Sequence, residues 1–318
     1  MPYWSADERY SMTILFEHES CLRHDMGEGH PERPDRLRAI QLALAESEFV
    51  DLERRSAPLA TPQQIALVHP QSYINHIFDT APKQGRVQLD PDTAMNSASL
   101  EAARRAAGAV CAAVDAVMAG ETKNAFCAVR PPGHHAEPER SMGFCIFSSV
   151  AIAARHAMSA HGLKRVAVVD FDVHHGNGTQ AAFWNDTDLF FGSTHQMPLY
   201  PGTGAVSEIG AGNIHNFPLP PGAAGIAFRD AMGDGLLPAL TAFKPELLLI
   251  SAGFDAHVDD PLAQLCFETE DYAWVTEILI AVAADHCQGR LVSSLEGGYD
   301  LAALAASVAA HVRALMAA

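Results

Sequence analysis

The segment Arg165-Val-Ala-Val-Val-Asp-Phe-Asp-Val-His-His-Gly-Asn-Gly178 carries the strongest indication of the architecture. Residues 166–169 are continuously apolar and rich in Val, without the alternation of a half-exposed strand. Such a run is typical of a strand that is buried on both faces of a parallel sheet. The second half of the segment changes abruptly to Asp, His and Gly, as expected where a strand ends at a ligand site.

Similar apolar runs alternate with Ala-rich stretches along the whole chain. Predicted strands cover residues 12–16, 125–129, 165–171, 189–192, 247–251 and 291–295, and predicted helices cover 97–119, 148–161, 226–243, 270–286 and 301–316. Gly120 and Gly162 stand where helix C-caps are expected. This alternation predicts an α/β fold, a three-layer αβα sandwich around a mostly parallel central sheet. Since no repeat or long linker interrupts it, we expect residues 1–318 to form a single domain.

The composition limits the functional classes. The chain has 318 residues and a formal net charge of −17 without any Lys/Arg cluster, which argues against a nucleic-acid partner. No apolar run approaches the roughly 18–20 residues of a membrane span, and residues 1–10 lack the pattern of a signal peptide. The six Cys form no C-x-x-C pair, so they indicate neither a zinc knuckle nor a disulfide framework. We therefore expect a soluble cytoplasmic protein without membrane association.

Polar clusters directly follow five of the predicted strands. They are Arg130-Pro-Pro-Gly-His-His135, the segment that starts at Asp170, Ser193-Thr-His-Gln196, Ala252-Gly-Phe-Asp255 and Glu296-Gly-Gly-Tyr-Asp300. The carboxyl ends of parallel strands meet at one edge of a sheet, and ligands bind there. The sequence therefore predicts an active site at this edge.

Asp172 and His174 are candidate metal ligands. In an extended chain, residues two apart project to the same side, so both side chains can converge on one cation. Asp255, from a distant strand, would complete a three-ligand site with an open position, which is the pattern of a catalytic zinc. Asp170 is expected to lie deeper, where it could orient a histidine or bind a second, harder cation.

His134 and His135 are candidate acid–base residues, because imidazole titrates near neutral pH. They follow a Pro-Pro-Gly turn that can direct adjacent side chains into one site. A hydrogen bond donated by the imidazole of one of them to Asp170 would fix the tautomer of that histidine. Tyr299, after two glycines, could donate to a developing oxyanion. The other histidines, such as His156, are expected at the surface or in the core.

Together these motifs resemble the zinc-dependent histone deacetylase and acetylpolyamine amidohydrolase family, which shares the arginase fold. The matching stretches are Gly29-His-Pro-Glu-Arg-Pro34, Arg130-Pro-Pro-Gly-His-His135, Gly143-Phe-Cys145, residues 170–180, Tyr200-Pro-Gly-Thr-Gly204, Ala252-Gly-Phe-Asp255 and Glu296-Gly-Gly-Tyr299. They span nearly the whole chain in the family's order. Asn177 and the His195-Gln196 pair are similar to the class II and bacterial amidohydrolase branch.

The resemblance implies the roles of the metal and the acid–base residues. Zinc would be held by Asp172, His174 and Asp255, with iron an open alternative as the native metal, and would activate a water molecule and polarise the amide oxygen. His135 would act as general base and acid, His134 as its electrostatic partner held by Asp170, and Tyr299 as the carbonyl polariser. Other members place an Asp beside the second histidine, so Asn177 should weaken the polarisation of His135 and leaves the division of acid and base roles open.

The resemblance also implies a second cation and a substrate tunnel. Potassium would bind through Asp170, Ser193 and Thr194, together with the backbone of Asp172 and His174. Phe144 and Tyr200 would line an acyl-lysine tunnel, and the carbonyl of Gly143 would face the amide N–H. Asp92 would be a rim carboxylate that grips the substrate backbone.

Three alternatives stay open at this point. A ureohydrolase with paired manganese would need bridging carboxylates where this chain has His175-Gly-Asn177. An acetylpolyamine deacetylase would favour an acidic residue at the tunnel mouth, where we place Leu262. A catalytically weak acyl-ligand binding protein is the third. The substrate is therefore expected to be an acyl-lysine peptide or a small acylated amine, and residues 29–38 are a candidate rim or homo-oligomer contact.

Overall fold

The computed structural model describes residues 13–318 and contains one large sheet flanked by helices. Its eight strands, all paired in parallel, lie in the order β2-β1-β5-β10-β9-β6-β7-β8. They are β1 Ile14–Glu17, β2 Glu53–Ser56, β5 Asn124–Cys127, β6 Val166–Asp170, β7 Leu189–Gln196, β8 Ile214–Leu219, β9 Leu247–Ala252 and β10 Leu291–Leu295. A separate antiparallel hairpin consists of β3 Arg86–Asp90 and β4 Thr93–Asn96.

Eleven α-helices are present in the described part of the chain. They are α1 Ser20–Arg23, α2 Asp35–Ala43, α3 Pro62–Ile65, α4 Gln71–Thr80, α5 Ser99–Met118, α6 Ser149–His161, α7 Asn177–Phe183, α8 Gly225–Asp230, α9 Leu237–Phe243, α10 Thr269–His286 and α11 Leu301–Met316. A 3₁₀ turn covers Ser47–Phe49 and a π-helical turn covers Ala231–Leu236. Helices α5 and α6 pack together, and α11 packs against α10 and α2. The predicted α/β sandwich is confirmed, with a sheet that is parallel throughout.

The central strands explain why the sheet is recognisable in the sequence. Strands β5, β6, β9 and β10 are buried along their whole length, so they lack any polar alternation. The register pairs Asp170 with Ser251 on β9 and with Ser193 on β7, so these strands end at the same edge. The first predicted strand began at residue 12, which lies outside the described residues.

The two edge strands were not predicted. β2 has the sequence Glu53-Arg-Arg-Ser56 and β8 contains Pro218, and neither resembles a buried parallel strand. Both pair on one side only, which is where polar residues and proline are tolerated. Pairing with β8 also extends β7 to Gln196, so Ser193–Gln196 belong to the strand and do not follow it as predicted.

The helix predicted at residues 226–243 is interrupted, and this prediction was wrong. The π-helical turn separates α8 from α9, which has Pro238 in its first turn. Proline has no N–H for an intrahelical bond, and a wider turn accommodates it. Gly235 lies in this turn, where a Cβ atom would come within 2.1 Å of the Phe217 ring on β8. The turn is therefore fixed by close packing against the sheet.

No helix between residues 13 and 318 combines the length and apolarity that a bilayer crossing requires.

Candidate active site

Asp172, His174 and Asp255 form a buried cluster at the carboxyl edge of the sheet. His174 Nδ1 lies 3.1 Å from Asp172 Oδ1 and 3.1 Å from Asp255 Oδ2. The segment after β6 is bent and not extended as the sequence argument assumed, and the backbone N–H of His174 donates to Asp172 Oδ1 at 2.8 Å. The bend closes around the carboxylates, because the N–H of Val173 also donates to Asp255 Oδ1 at 2.9 Å. The predicted ligands converge, but by a different backbone path.

The charges of this cluster fit a cation. Burial lowers the pKa of His174, yet its contacts with Asp172 and Asp255 raise this pKa to about 10. Burial and the neighbouring Asp172 raise the pKa of Asp255. Two buried carboxylates thus lie close to one another and require a positive charge to balance them. One ligand atom from each of the three residues lies within 4.8 Å of the others. This donor set is of the kind that holds zinc with an open coordination position.

Two glycines leave room around these carboxylates. A Cβ atom on Gly297 would lie 2.1 Å from Asp255 Oδ2, and one on Gly253 would lie 2.1 Å from Asp172 Oδ2. The N–H of Gly297 donates to Asp172 Oδ2 at 2.8 Å. Backbone therefore approaches the cluster closely from β9 and β10, which explains why glycine precedes Phe254 and follows Glu296.

The histidine pair lies beside this cluster with two different partners. His134 Nδ1 is 2.9 Å from Asp170 Oδ2, and His135 Nδ1 is 2.8 Å from Asn177 Oδ1. The pKa of His134 rises well above its usual range because Asp170 and Asp172 outweigh its burial. The pKa of His135 falls well below that range because of burial and of the neighbouring His134 and His174. Opposite shifts in two adjacent groups separate a cationic from a neutral histidine.

The loop with these histidines is held by buried charges that we did not single out from the sequence. Glu296 Oε2 accepts hydrogen bonds from the N–H of Gly133 at 2.6 Å and of His134 at 3.1 Å. The guanidinium of Arg130 forms an ion pair with Glu32, and both side chains are fully buried. Glu32 and Glu296 both belong to motifs of the family resemblance, but the residues that they bind, near position 130, are far away from them in the sequence.

Asn177 has a second partner that the sequence did not reveal. Its Nδ2 donates to Glu137 Oε1 at 2.8 Å, and the Glu137 side chain is partly exposed. His135 is therefore connected through a neutral amide to a carboxylate. The sequence offers only one signal for this link, an acidic residue two positions after the histidine pair.

A narrow pocket of about 200 Å³ opens above the cluster. Every residue predicted to bind substrate lines it, and the lining comprises Asp92, His135, Gly143, Phe144, His174, Leu199, Tyr200, Leu262 and Tyr299. Gly143 and Phe144 both have positive φ, at 57° and 69°. A Cβ atom on Gly143 would lie 2.4 Å from His135 Cδ2, so only glycine fits against this ring.

Asp92 supports the pocket wall. It sits in the β3–β4 turn, and its Oδ1 accepts the N–H of Gly143 at 3.0 Å. The neighbouring Thr93 Oγ1 accepts the N–H of Phe144, also at 3.0 Å. The predicted rim carboxylate is thus already engaged by its own chain through one oxygen.

Tyr299 is held in place from two sides. Its backbone N–H donates to Asp260 Oδ2 at 2.7 Å, and the guanidinium of Arg36 lies 4.8 Å from its ring centroid. Arg36 Nη2 also donates to the carbonyl of Glu296 at 2.6 Å. Burial raises the pKa of Tyr299 well above its usual range, so the phenol keeps its proton. Within residues 29–38, Arg36 is therefore a buried support of the site, whereas the His30 ring packs against the ring of Phe144 in the pocket wall, with 4.7 Å between the ring centroids.

The side chains predicted to bind potassium lie near the ends of β6 and β7, where Asp170 pairs in register with Ser193. Asp170 Oδ1 accepts the N–H of Asp172 at 3.1 Å, and the Ser193 hydroxyl pairs with His195 Nδ1 at 2.9 Å. Among the described residues, Thr194 Oγ1 is one of a few buried polar atoms without a hydrogen-bond partner. A hydroxyl without a partner in this position fits a ligand that satisfies it.

The architecture and the geometry of its active site match a known structure. The structure superimposes on the crystal structure of the HDA15 HD domain with a TM-score of 0.92 and 36% identity, covering 96% of this chain and 88% of that chain. A parallel sheet of this fold with a histidine pair and an Asp/His/Asp cluster at its carboxyl edge is the framework of an α/β amidohydrolase.

The relatives identify the family. Histone deacetylase 14, chloroplastic, of Arabidopsis thaliana is 42% identical over 95% of this chain and 76% of its own length. The histone deacetylase-like amidohydrolase of Pseudomonas aeruginosa is 38% identical over 91% of this chain and 82% of its own length. The histone deacetylase domain matches residues 30–315. The chain belongs to the histone deacetylase family, which confirms the resemblance and supports hydrolase activity.

Proposed function

We propose that this protein is a zinc-dependent deacetylase that hydrolyses the acyl amide of an acyl-lysine side chain or a related acylated amine. The observation that carries the proposal is the narrow pocket, which ends at His135, His174 and Tyr299 beside the buried Asp172/His174/Asp255 cluster. Zinc bound by these three residues would supply a Lewis acid that activates water and polarises the amide carbonyl.

The chain's own residues would then move the protons. His135 is neutral, and its Nδ1 is engaged by Asn177, so its Nε2 is free to take a proton from the attacking water. The same nitrogen would return this proton to the leaving amine. His134, held by Asp170, would stay cationic and stabilise the negative charge that develops. The protonated Tyr299 phenol would donate to the oxyanion.

The walls of the pocket suit a thin aliphatic chain. Its volume of about 200 Å³ is below the roughly 300–1,000 Å³ of pockets that bind drug-sized ligands. The Tyr200 ring packs edge-on to His135 at 5.1 Å, and Phe144 packs edge-on to Tyr299 at 5.9 Å. Leu262 at the pocket gives no charge to hold a second ammonium group, so an acyl-lysine is favoured over an acetylpolyamine.

We also propose that Asp170, Ser193 and Thr194, with the backbone of Asp172 and His174, bind potassium, which the partnerless Thr194 hydroxyl supports. A single domain over residues 1–318, a cytoplasmic location and homo-oligomerisation stay predictions. The relative from Arabidopsis thaliana is named as chloroplastic, so location varies among similar chains.

A substrate panel tests the proposed function. The zinc-loaded protein should hydrolyse acetyl-lysine peptides faster than acetylated polyamines, and a hydroxamate should inhibit both reactions. Free acetyl-lysine and longer acyl chains in the same panel would define the preference. Hydroxamate binding without turnover of any substrate would contradict the proposal and favour an acyl-ligand binding protein.

A further inference from the structure

A second group of metal-ligating side chains lies outside the pocket, on the packed helices α5 and α6. His156 Nε2 is 2.8 Å from Asp115 Oδ1, and His161 Nε2 is 2.7 Å from the same oxygen. One ligand atom of each residue lies within 4.8 Å of the other two. This convergence of two imidazoles and a carboxylate comes from two helices that are separated in the sequence.

The group is accessible and lacks a permanent positive charge. The Asp115 side chain is 50% exposed, and the two imidazoles are 12% and 25% exposed. Within residues 13–318, no Lys or Arg pairs with the Asp115 carboxylate, whose ion-pair partners are the two histidines. A divalent cation would provide the missing charge, and the net charge of −17 raises the local concentration of cations.

We propose that Asp115, His156 and His161 form a surface Zn²⁺ site, separate from the cluster in the pocket. Imidazole and carboxylate ligands suit zinc, and three protein ligands would leave one position for water. His161 is the last residue of α6, directly before the left-handed Gly162 cap. A bound ion would therefore fix the end of α6 to α5.

Counting bound zinc in four proteins tests this site. After dialysis against micromolar Zn²⁺, the wild type should retain two equivalents, whereas the double variant His156→Ala/His161→Ala and the single variant Asp255→Ala should each retain one. A protein with all three substitutions should retain none. Added Zn²⁺ should raise the Tm of Asp255→Ala by roughly 2–5 °C, but should not raise that of the triple variant.

The count also separates this site from the proposed catalytic one. The double variant His156→Ala/His161→Ala should keep wild-type turnover, because neither substituted residue lines the pocket. Equal zinc content in the wild type and the double surface variant would overturn the surface site. A zinc count that Asp255→Ala does not change would instead contradict the catalytic cluster.

A second, independent inference concerns Glu137 and the orientation of Asn177. A carboxylate can only accept hydrogen bonds, so Glu137 Oε1 requires the NH₂ group of Asn177 at 2.8 Å. The amide oxygen is then directed to His135 Nδ1, which must carry the proton. Asn177 is buried, so its amide cannot exchange these partners for bulk water.

We infer that Glu137 is a positioning residue: it fixes the Asn177 amide and thereby leaves Nε2 of His135 unprotonated. This inference rests on the proposed function, since a free Nε2 matters only if His135 takes a proton. An aspartate beside His135 would accept the Nδ1 proton directly. Here the neutral Asn177 accepts it, and Glu137 keeps the Asn177 amide in the orientation that this requires.

Two substitutions of Glu137, one that removes the acceptor oxygen and one that keeps it, test this role. Glu137→Met should lower kcat roughly 10-fold or more with little change in KM, and Glu137→Gln, which keeps an acceptor oxygen, should retain most activity. Asn177→Asp alone would place two carboxylates at the 2.8 Å contact and should also lower kcat. Adding Glu137→Gln to Asn177→Asp should then raise kcat, because the new amide can donate to the aspartate.

Two results would overturn the role of Glu137. One is a wild-type kcat in Glu137→Met, and the other is no gain when Glu137→Gln is added to Asn177→Asp. The ¹⁵N shifts of the His135 imidazole report its tautomer without turnover, and should change in Glu137→Met but not in Glu137→Gln. An inactive wild type with the expected tautomer would count against the proposed function and not against this orientation.

Discussion

Replacing Asp255 with asparagine is expected to lower kcat by on the order of 10³-fold and to remove one equivalent of tightly bound zinc. The substitution keeps the size of the side chain but removes one of the two carboxylates that face His174 Nδ1 at 3.1 Å. An amide is a weak zinc ligand, and the cluster would lose a negative charge that the cation balances. Metal analysis together with steady-state kinetics would measure both effects.

Asp259→Asn is the matched control for this experiment. Asp259 lies four residues further on, its side chain is 70% exposed, and it does not line the pocket. Its substitution changes the net charge by the same amount and should leave zinc content and kcat unchanged. Full activity of Asp255→Asn, or equal losses in both variants, would rule out a specific role of Asp255 as ligand.

Tyr299→Phe is expected to reduce kcat by about 10²–10³-fold, as for other single oxyanion donors. The phenol is kept protonated by burial and lines the end of the pocket, so only its O–H is lost. The loop is unchanged, because it is held through the backbone N–H of Tyr299 to Asp260 and through Arg36. The loss should therefore fall mainly on kcat, and the affinity for a short acyl-lysine peptide should change little.

Tyr272→Phe provides the comparison for the tyrosine. Tyr272 is fully buried outside the pocket, and its hydroxyl is without a hydrogen-bond partner among the described residues. The same chemical change there should preserve turnover and should not lower the free energy of unfolding. Undiminished kcat in Tyr299→Phe would remove Tyr299 from the proposed mechanism.

The buried strands could be predicted, whereas the edge strands could not. A strand such as Leu291–Leu295 is buried on both faces and shows no polar alternation, and its observed bounds equal the predicted ones. Strand Glu53–Ser56 is polar and pairs on one side only, so its sequence does not differ from that of a loop. The π-helical turn at Ala231–Leu236 could not be predicted either, because it depends on the contact of Gly235 with Phe217, which lies in β8 and outside the local pattern of the helix.

Local sequence patterns were enough to predict the α/β class, the edge of the sheet that holds the site and the polar residues at that edge, because each of these depends on periodicity and on the ends of strands. The pairing of those residues depends instead on the folded chain. The contacts from Asn177 to Glu137 and from Asp260 to the Tyr299 backbone each join residues about 40 positions apart, and Arg36 reaches across 260 residues to the carbonyl of Glu296. Such partners are brought together by the packing of the whole sheet, and no local pattern specifies them.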